Sequence, residues 1–526
     1  MQISGNYQYS PESIKPRKAP STHGEPSLMQ DTVTTGGEQA PPRHLSRELL
    51  AQIQNKGLAS AGKLTASQEA YLKKMSDLAA AEGGLTKTGA LFGIGGVLFP
   101  DSSGRIKHLA LQFGNMEFDR PLPEKTAKGL LGVYKTLFAN MHPETRFTVV
   151  TADEKGEKTL RQAAAESGMV NPGRVNIVNA HSQKGFSIWI RDSMIPVANP
   201  DGTTTLLMQD RTYWPGPEDA KITPLFAQGN SNLTAVPHPS LRIDGGNMLS
   251  NEEFIFVGQD SVVHTTDRLK ELFVLPRWKD EIIRFYENRT GKDVVLEGVP
   301  EKPGQVTLAE MWRTIAPEVF ESEFERQVYV ICQDDPSTPL KEEQPVFHID
   351  MAVTPVGNRK FLVGDPGMAI RTFQALTEEE KAKANNEMAK EAGFSPGTDL
   401  IGKLIEVNGS DAHQANFDNV ARELKEKGYE VERIPCMIGL RTTWSLPYLT
   451  YNNSIQENYT DESGKQVKKV YLPTYGCEPL EKIALDTYTR NGYEVVPLKM
   501  AAVSILEGAI RCSSYPVERT DIPGPS

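Results

Sequence analysis

Residues 108–114 read HLALQFG, residues 126–141 TAKGLLGVYKTLFANM, residues 146–153 RFTVVTAD, residues 158–168 KTLRQAAAESG and residues 174–180 RVNIVNA. The first, third and fifth are short runs rich in β-branched and apolar residues, the pattern of buried strands. The second and fourth space their apolar residues three and four apart, the pattern of helices with one buried face. Strand, helix, strand, helix, strand is the signature of an α/β fold whose parallel strands are joined through helical crossovers. The body of the fold is expected to span residues 85–526.

Upstream of it the composition changes. Residues 1–45 are rich in Pro, Ser, Thr, Gly and Gln with few large apolar side chains, so burial cannot offset their ordering entropy and the segment is expected to be disordered. A frayed tail and a leader for specialised export both fit it. Residues 46–84 hold two helical patterns, SRELLAQIQNKGLAS and TASQEAYLKKMSDLAAAE, each opening on a Ser or Thr able to cap it, and are expected to form a small helical annex. Two stretches of the body look inserted. Residues 267–343 carry RLKELF, WKDEIIRFYENRTG and LAEMWRTIAPEVFESEF, and residues 378–408 hold a second charged helical run.

A net charge of −11 disfavours a general nucleic-acid or anionic-membrane binder and suits cationic ligands. Four cysteines (Cys332, Cys436, Cys477 and Cys512) with no CxxC pair argue against a disulfide framework or a structural zinc site. The start, MQISGNYQYSPESIKPRKAPST, lacks the apolar core of a secretory signal, and no run approaches the roughly 18 apolar residues that span a bilayer. A soluble, cytoplasmic protein in a reducing compartment is the expectation, with export through the N-terminal segment as the alternative. Oligomeric state is not legible.

Four separated segments place polar or reactive residues beside apolar runs: Ser187-Ile188-Trp189-Ile190-Arg191-Asp192, Ile243-Asp244-Gly245-Gly246-Asn247, Val346-Phe347-His348-Ile349-Asp350 and Gly508-Ala509-Ile510-Arg511-Cys512. If residues 346–350 form a strand, His348 and Asp350 project from one face and Phe347 and Ile349 from the other. Singly, each has a plain structural explanation. A His-x-Asp can be a satisfied buried pair, Asp-Gly-Gly-Asn a turn, and a cysteine at a strand end a small core residue.

Together their order resembles the guanidino-group-modifying superfamily, which includes agmatine, arginine and peptidyl-arginine deiminases, amidinotransferases and dihydrolases. The pattern is most similar to the agmatine deiminase and bacterial peptidyl-arginine deiminase branch, with its W-x-R-D, G-G, H-x-D and terminal cysteine. Two further stretches match: Leu446-Pro447-Tyr448-Leu449-Thr450-Tyr451-Asn452-Asn453, and Val470-Tyr471-Leu472-Pro473-Thr474-Tyr475-Gly476. The likeness runs from about Leu85 to Glu518. It departs at Arg511, where close relatives usually carry His, at Ser187, where many carry Asp, and at Asp244, where agmatine deiminases commonly carry Glu. These departures leave the exact substrate open. The resemblance implies a pentein fold, a pseudo-fivefold arrangement of ββαβ units around a central channel, with no cofactor and no metal.

It also implies a chemistry. A guanidinium is planar, delocalised and always protonated near neutral pH, so its carbon is a poor electrophile. Asp192 and Asp350 are expected to clamp it through paired, charge-assisted hydrogen bonds. Cys512 would attack as thiolate, favoured by the bound cation or by His348 as imidazolium, giving a covalent thiouronium intermediate. His348 would protonate the departing ammonia and then activate the hydrolytic water. Trp189, Asp244 and Asn247 complete the expected binding set, the last two by orienting the site. Cys332, Cys436 and Cys477 are read as structural. The substrate is a peptidyl-arginine or a small guanidine such as agmatine, converted to the ureido product. An amidinotransferase or dihydrolase on the same scaffold, and a catalytically silent cation-binding module, are the alternatives. A papain-like protease does not fit, since there the nucleophile precedes its histidine.

Overall fold

The computed structural model describes residues 91–117, 120–208, 218–332, 344–357, 359–439 and 446–520. The expected disordered segment, residues 1–45, and the helical annex, residues 46–84, lie outside them.

The alternation at the start of the body folds as its pattern dictates. Arg105–Phe113, Arg146–Thr151 and Val175–Asn179 are parallel neighbours in one sheet. Helices Glu124–Asn140 and Glu154–Glu166 connect them. The first helix buries Leu130, Val133, Tyr134, Leu137 and Phe138, the three-and-four spacing that turns one stripe to the sheet. The Phe138 ring packs edge-on against Phe147 of the strand beneath, with centroids 4.8 Å apart. Each such side chain contributes about 1.5–3 kcal/mol by leaving water. The second helix starts where Asp153 accepts a hydrogen bond from the Gly156 N–H.

The fourth strand of this sheet comes from the far end of the chain. Ser514–Thr520 lies antiparallel to Arg105–Phe113, with Ala110 opposite Tyr515 and Leu111 opposite Ser514. Taken from there, the sheet reads as an antiparallel pair, a helical crossover and a parallel third strand. Four more sheets repeat that reading. Met194–Ala198 and Thr204–Met208 pair antiparallel and Leu233–Pro237 joins in parallel after helix Ile222–Gln228. Met248–Ser250, Phe254–Gly258 and Gln327–Ile331 form the next. Val353–Pro355, Lys360–Asp365 and Glu430–Met437 follow. The last is Ile455–Thr460, Gln466–Thr474 and Glu494–Lys499, joined by helix Glu478–Arg490.

The apparent insertions are helical elaborations of two crossovers. Gln259–Phe273, Pro276–Thr290 and Leu308–Phe324 occupy one. Pro366–Ala375, Glu378–Ala392, Leu400–Asn408 and Asp411–Glu426 occupy the other. Thr307 with Glu310 and Thr377 with Glu380 close capping boxes at two of these helices. No helix among the described residues is long and apolar enough to cross a membrane.

Every candidate motif sits in the turn that enters the first strand of one unit. Ile190–Asp192, Gly245–Asn247 and Ile349–Met351 are single 3-10 turns directly or nearly directly ahead of their strands. Asn453 precedes Ile455–Thr460 and Cys512 precedes Ser514–Thr520. The strand expected at residues 346–350 is therefore corrected: Ile349–Met351 is helical, and His348 is the extended residue that caps it. An Ile-Asp-Met step accommodates this because the Met351 N–H closes on the His348 carbonyl at 3.1 Å.

The turns also touch one another in order. A Cβ on Gly245 would stand 2.3 Å from the Arg191 carbonyl, so the second turn approaches the first as only glycine permits. The Ile349 N–H donates to Asn247 Oδ1 at 3.1 Å, and Thr450 Oγ1 donates to the Met351 carbonyl at 2.6 Å. The Arg511 N–H donates to Asn453 Oδ1 at 2.9 Å, and the Arg191 N–H to the Cys512 carbonyl at 3.2 Å. Ile188, Trp189, Ile349, Met351 and Cys512 belong to one buried apolar cluster, which backs these turns.

Candidate active site

Cys512 is 5% exposed, at the edge of that cluster, with its sulfur 3.9 Å from Met351 Sδ. Asn453 Nδ2 donates to Sγ at 3.3 Å, and His348 is near enough to influence the same sulfur. Burial pushes the thiol up from its ordinary range and the Asp350 and Asp192 charges add to this, against the lowering influence of His348.

His348 is the opposite case. Burial pulls an imidazolium down, yet Asp192, a hydrogen bond to Asp244 and the contact with Cys512 together hold the ring well above its ordinary range. His348 Nε2 lies 3.4 Å from Asp244 Oδ2. A carboxylate oxygen from each of Asp192 and Asp244 and a ring nitrogen of His348 all lie within 4.8 Å of one another. A Cβ on Gly246 would come within 2.5 Å of His348 Nδ1, so the Gly-Gly step lets the backbone lie against the ring.

Asp350 and Arg511 form the second feature. Arg511 is 4% exposed; its Nη1 donates to Asp350 Oδ2 at 2.6 Å and its Nη2 to Asp101 Oδ1 at 2.7 Å. The Gly245 and Met248 carbonyls accept further hydrogen bonds from it. Against burial, which would raise it, Arg511 and Arg191 hold the Asp101 carboxyl below the usual carboxylate range. Asp350 is wholly buried, and among the described residues its Oδ1 has no hydrogen-bond partner. Asp350 is thus not simply a second acid standing open beside Asp192, as an alternating strand would have placed it: one of its oxygens is held by an arginine of the chain.

The remaining expected residues support rather than line this centre. Asn247 accepts from the Ile349 N–H and from Gln344 Nε2 at 3.0 Å, and donates to Ser261 Oγ at 2.9 Å, which fixes the turn behind His348. Trp189 is 5% exposed, donates from Nε1 to Glu117 Oε1 at 3.3 Å, and lies flush on Gly508, where a Cβ would come 2.4 Å from its ring. Arg191 Nε donates to the Arg511 carbonyl at 2.6 Å and its guanidinium covers the Tyr515 ring at 3.9 Å. Ser187 hydrogen-bonds Asp219 at 2.6 Å. Cys332, Cys436 and Cys477 are buried and stand outside any disulfide, and burial raises Cys436 to about 12.

Sequence reasoning missed Asp101 and Asn453. Asp101 stands 410 residues from its arginine, beyond the reach of any local pattern. Asn453 lay inside a stretch that had been noted, at the fourth of five equivalent turns, and its position was the available signal.

No known protein family and no curated protein matches this chain. Solved structures do. An agmatine deiminase from C. jejuni is similar at 12% identity and a TM-score of 0.46, over 80% of this chain and 94% of that one. One from Enterococcus faecalis is similar at 10% identity and a TM-score of 0.41, over 81% and 96%. An inosamine-phosphate amidinotransferase from Streptomyces griseus is similar at 11% identity and a TM-score of 0.34, over 81% and 97%. Scores this low transfer no activity, and the chemistry of this chain stands on its own side chains.

Proposed function

We propose that this protein hydrolyses a guanidinium group, releasing ammonia and leaving a ureido product, with Cys512 as nucleophile and His348 as proton donor and acceptor. One observation carries this reading. Carboxylate oxygens of Asp192 and Asp244 and a ring nitrogen of His348 lie within 4.8 Å of one another, and the Cys512 sulfur is near enough to feel His348, Asp192 and Asp350, although these groups come from four separate turns.

The acids outnumber the imidazolium that they surround, so the centre favours a bound cation. A flat guanidinium satisfies the carboxylates edge-on through charge-assisted bonds. Asp192 and Asp244 would take one side of it. The unpartnered Oδ1 of Asp350, buried beside Cys512, is the kind of acceptor that an N–H of the substrate would satisfy.

The cation also activates the nucleophile. Asp192 and Asp350 raise the thiol, and a guanidinium lying against them cancels that influence, so Cys512 releases its proton to solvent as substrate binds. The thiolate adds to the guanidinium carbon. His348 passes its proton to the departing nitrogen, and ammonia leaves a thiouronium on Cys512. The now neutral ring takes a proton from water, the hydroxide adds to the thiouronium carbon, and collapse breaks the C–S bond to expel the thiolate; the adduct's hydroxyl proton is lost as the ureido carbonyl forms, and a proton returns to the sulfur to restore the thiol. Asp244 holds the ring in place through both transfers.

We further infer that the five ββαβ units close a ring, the pentein arrangement, with this centre on its axis. The order of turn-to-turn contacts, ending with Arg191 on Cys512, supports it.

The test is to offer agmatine, free arginine and an arginine-containing peptide, and to assay ureido product and ammonia. Release of both from at least one of them is expected. Silence toward all three, or product only when an amine acceptor is added, overturns the proposal. The pattern across the panel separates a small guanidine from a peptidyl-arginine as the substrate.

A further inference from the structure

Two asparagines hold the two turns that carry the reactive groups. Asn247 precedes the first strand of its unit and accepts from the backbone N–H of Ile349 in the next turn. Asn453 stands two residues ahead of Ile455–Thr460 and does the same for the turn after it, where Oδ1 accepts from the Arg511 N–H at 2.9 Å and the Cys512 N–H at 3.3 Å. Two backbone donors on one atom settle which end of the carboxamide is oxygen, so the other end must be the donor. The pair then diverges. The Asn247 donor goes to the Ser261 hydroxyl, a structural partner, whereas the Asn453 donor goes to Cys512 Sγ at 3.3 Å.

We propose that Asn453 is a catalytic residue of the same reaction: its Nδ2–H is a fixed hydrogen-bond donor to the Cys512 sulfur, stabilising the thiolate before attack and again when it departs. Asn453 is wholly buried, so no solvent competes for that bond. Its oxygen is anchored to the nucleophile's own backbone, so donor and sulfur move as one body. No proton is transferred: the S–C bond forms and later breaks at the same sulfur, and the carboxamide donates throughout. An imidazolium on one side and a neutral carboxamide on the other serve different ends. His348 gives up its proton when ammonia leaves and regains one from water, so its hydrogen bonding changes through the cycle, whereas the Asn453 carboxamide offers the sulfur the same donor at every stage.

The assignment rests on Cys512 being the nucleophile, but its test needs no guanidine. The pH dependence of Cys512 alkylation by iodoacetamide is measured in the full chain by peptide mapping, for the wild type and for Asn453→Asp and Asn453→Ala, with thermal melting alongside. Asn453→Asp keeps an oxygen for the two backbone N–H groups and replaces the donor with an acceptor. Alkylation at a pH below the thiol midpoint should fall by roughly tenfold or more, with the midpoint moved up by about a unit or more. Asn453→Ala should move it in the same direction by less. A folded Asn453→Asp protein with the wild-type profile overturns the proposal. Should neither variant fold, the wild-type protein carrying 15N-labelled asparagine decides. One carboxamide signal must follow the thiol titration and cease to do so once Cys512 is alkylated, and the absence of any such signal overturns the proposal. A chain that deiminates nothing would fail the substrate panel while still answering this question.

Discussion

Two pairs of aspartates sit within the same small region and do opposite work. Asp101 and Asp350 close on Arg511, at 2.7 and 2.6 Å, and hold a guanidinium that the chain itself supplies. Asp192 and Asp244 close on His348, an imidazole, with oxygens and nitrogen within 4.8 Å. The first pair has a permanent partner with a full, delocalised charge, so it is mainly structural, although Asp350 keeps one oxygen without a hydrogen bond. The second holds an imidazole, which in the proposed reaction exchanges its proton and leaves the acids able to accept an outside cation. Residue type does not distinguish them; the cation each pair already holds does. In Arg511 the molecule also displays the recognition proposed for its substrate, a planar cation held between two carboxylates.

The comparison can be broken from either side, and the largest effect lies at the sulfur, which one aspartate of each pair influences. Cys512→Ala should lower turnover by roughly 10⁴-fold or more while melting near the wild type, since a nucleophile acts only through the step it performs. Residual turnover near the wild-type rate would exclude the mechanism. Asp192→Asn and Asp244→Asn come next, with kcat/KM lower by about 10²–10³-fold and the fold retained. Because the Asp244 charge helps hold His348 protonated, its loss should also move the alkaline limb of the pH–rate profile downward. An unmoved limb would mean that Asp244 is not coupled to the ring.

The other pair should respond in stability. Arg511→Gln strands two buried carboxylates and is expected to cost about 3–5 kcal/mol, read as a lowered denaturant midpoint. Asp350→Asn should show both effects, weaker folding through Arg511 and slower turnover through its second oxygen. If it altered turnover alone, the division between the pairs would be drawn in the wrong place.

A smaller effect follows from His348 itself. Its folded-state pKa is raised, so the stability it contributes is fully present below the unfolded value of about 6.5 and is lost as pH rises through the folded value. The gap in melting temperature between wild type and His348→Ala should therefore be widest in mild acid and close in alkali. At the bottom of the scale, Lys383→Ala removes an exposed ion pair with Glu478 and should leave melting unchanged.

The legible parts of this molecule are those written in short-range pattern. Apolar runs at 108–113 and 146–151 and helical spacing at 126–140 fixed the alternation of elements, because packing against a sheet leaves a local period. The reactive residues were legible as types, since Cys512, His348, Asp192 and Asp244 are chemistry-bearing wherever they stand. What escaped is what only the closed chain creates. Ser514–Thr520 completes the sheet of Arg105–Phe113 from the opposite end, and the same closure delivers Asp101 to Arg511. The His-x-Asp spacing was misread as a strand because alternation over three residues does not separate a strand from one 3-10 turn. Asn453 escaped for a different reason: an asparagine ahead of a strand is ordinarily a turn residue, and only its distance to sulfur says otherwise.

The most direct measurement is the intact mass of the protein quenched in acid during turnover of a guanidine, followed by mapping of the modified peptide. A covalent adduct retaining the substrate's amidine carbon on Cys512, formed and consumed with the product and absent from Cys512→Ala, is the expected result. Steady release of ureido product with Cys512 unmodified, or from Cys512→Ala, would contradict it.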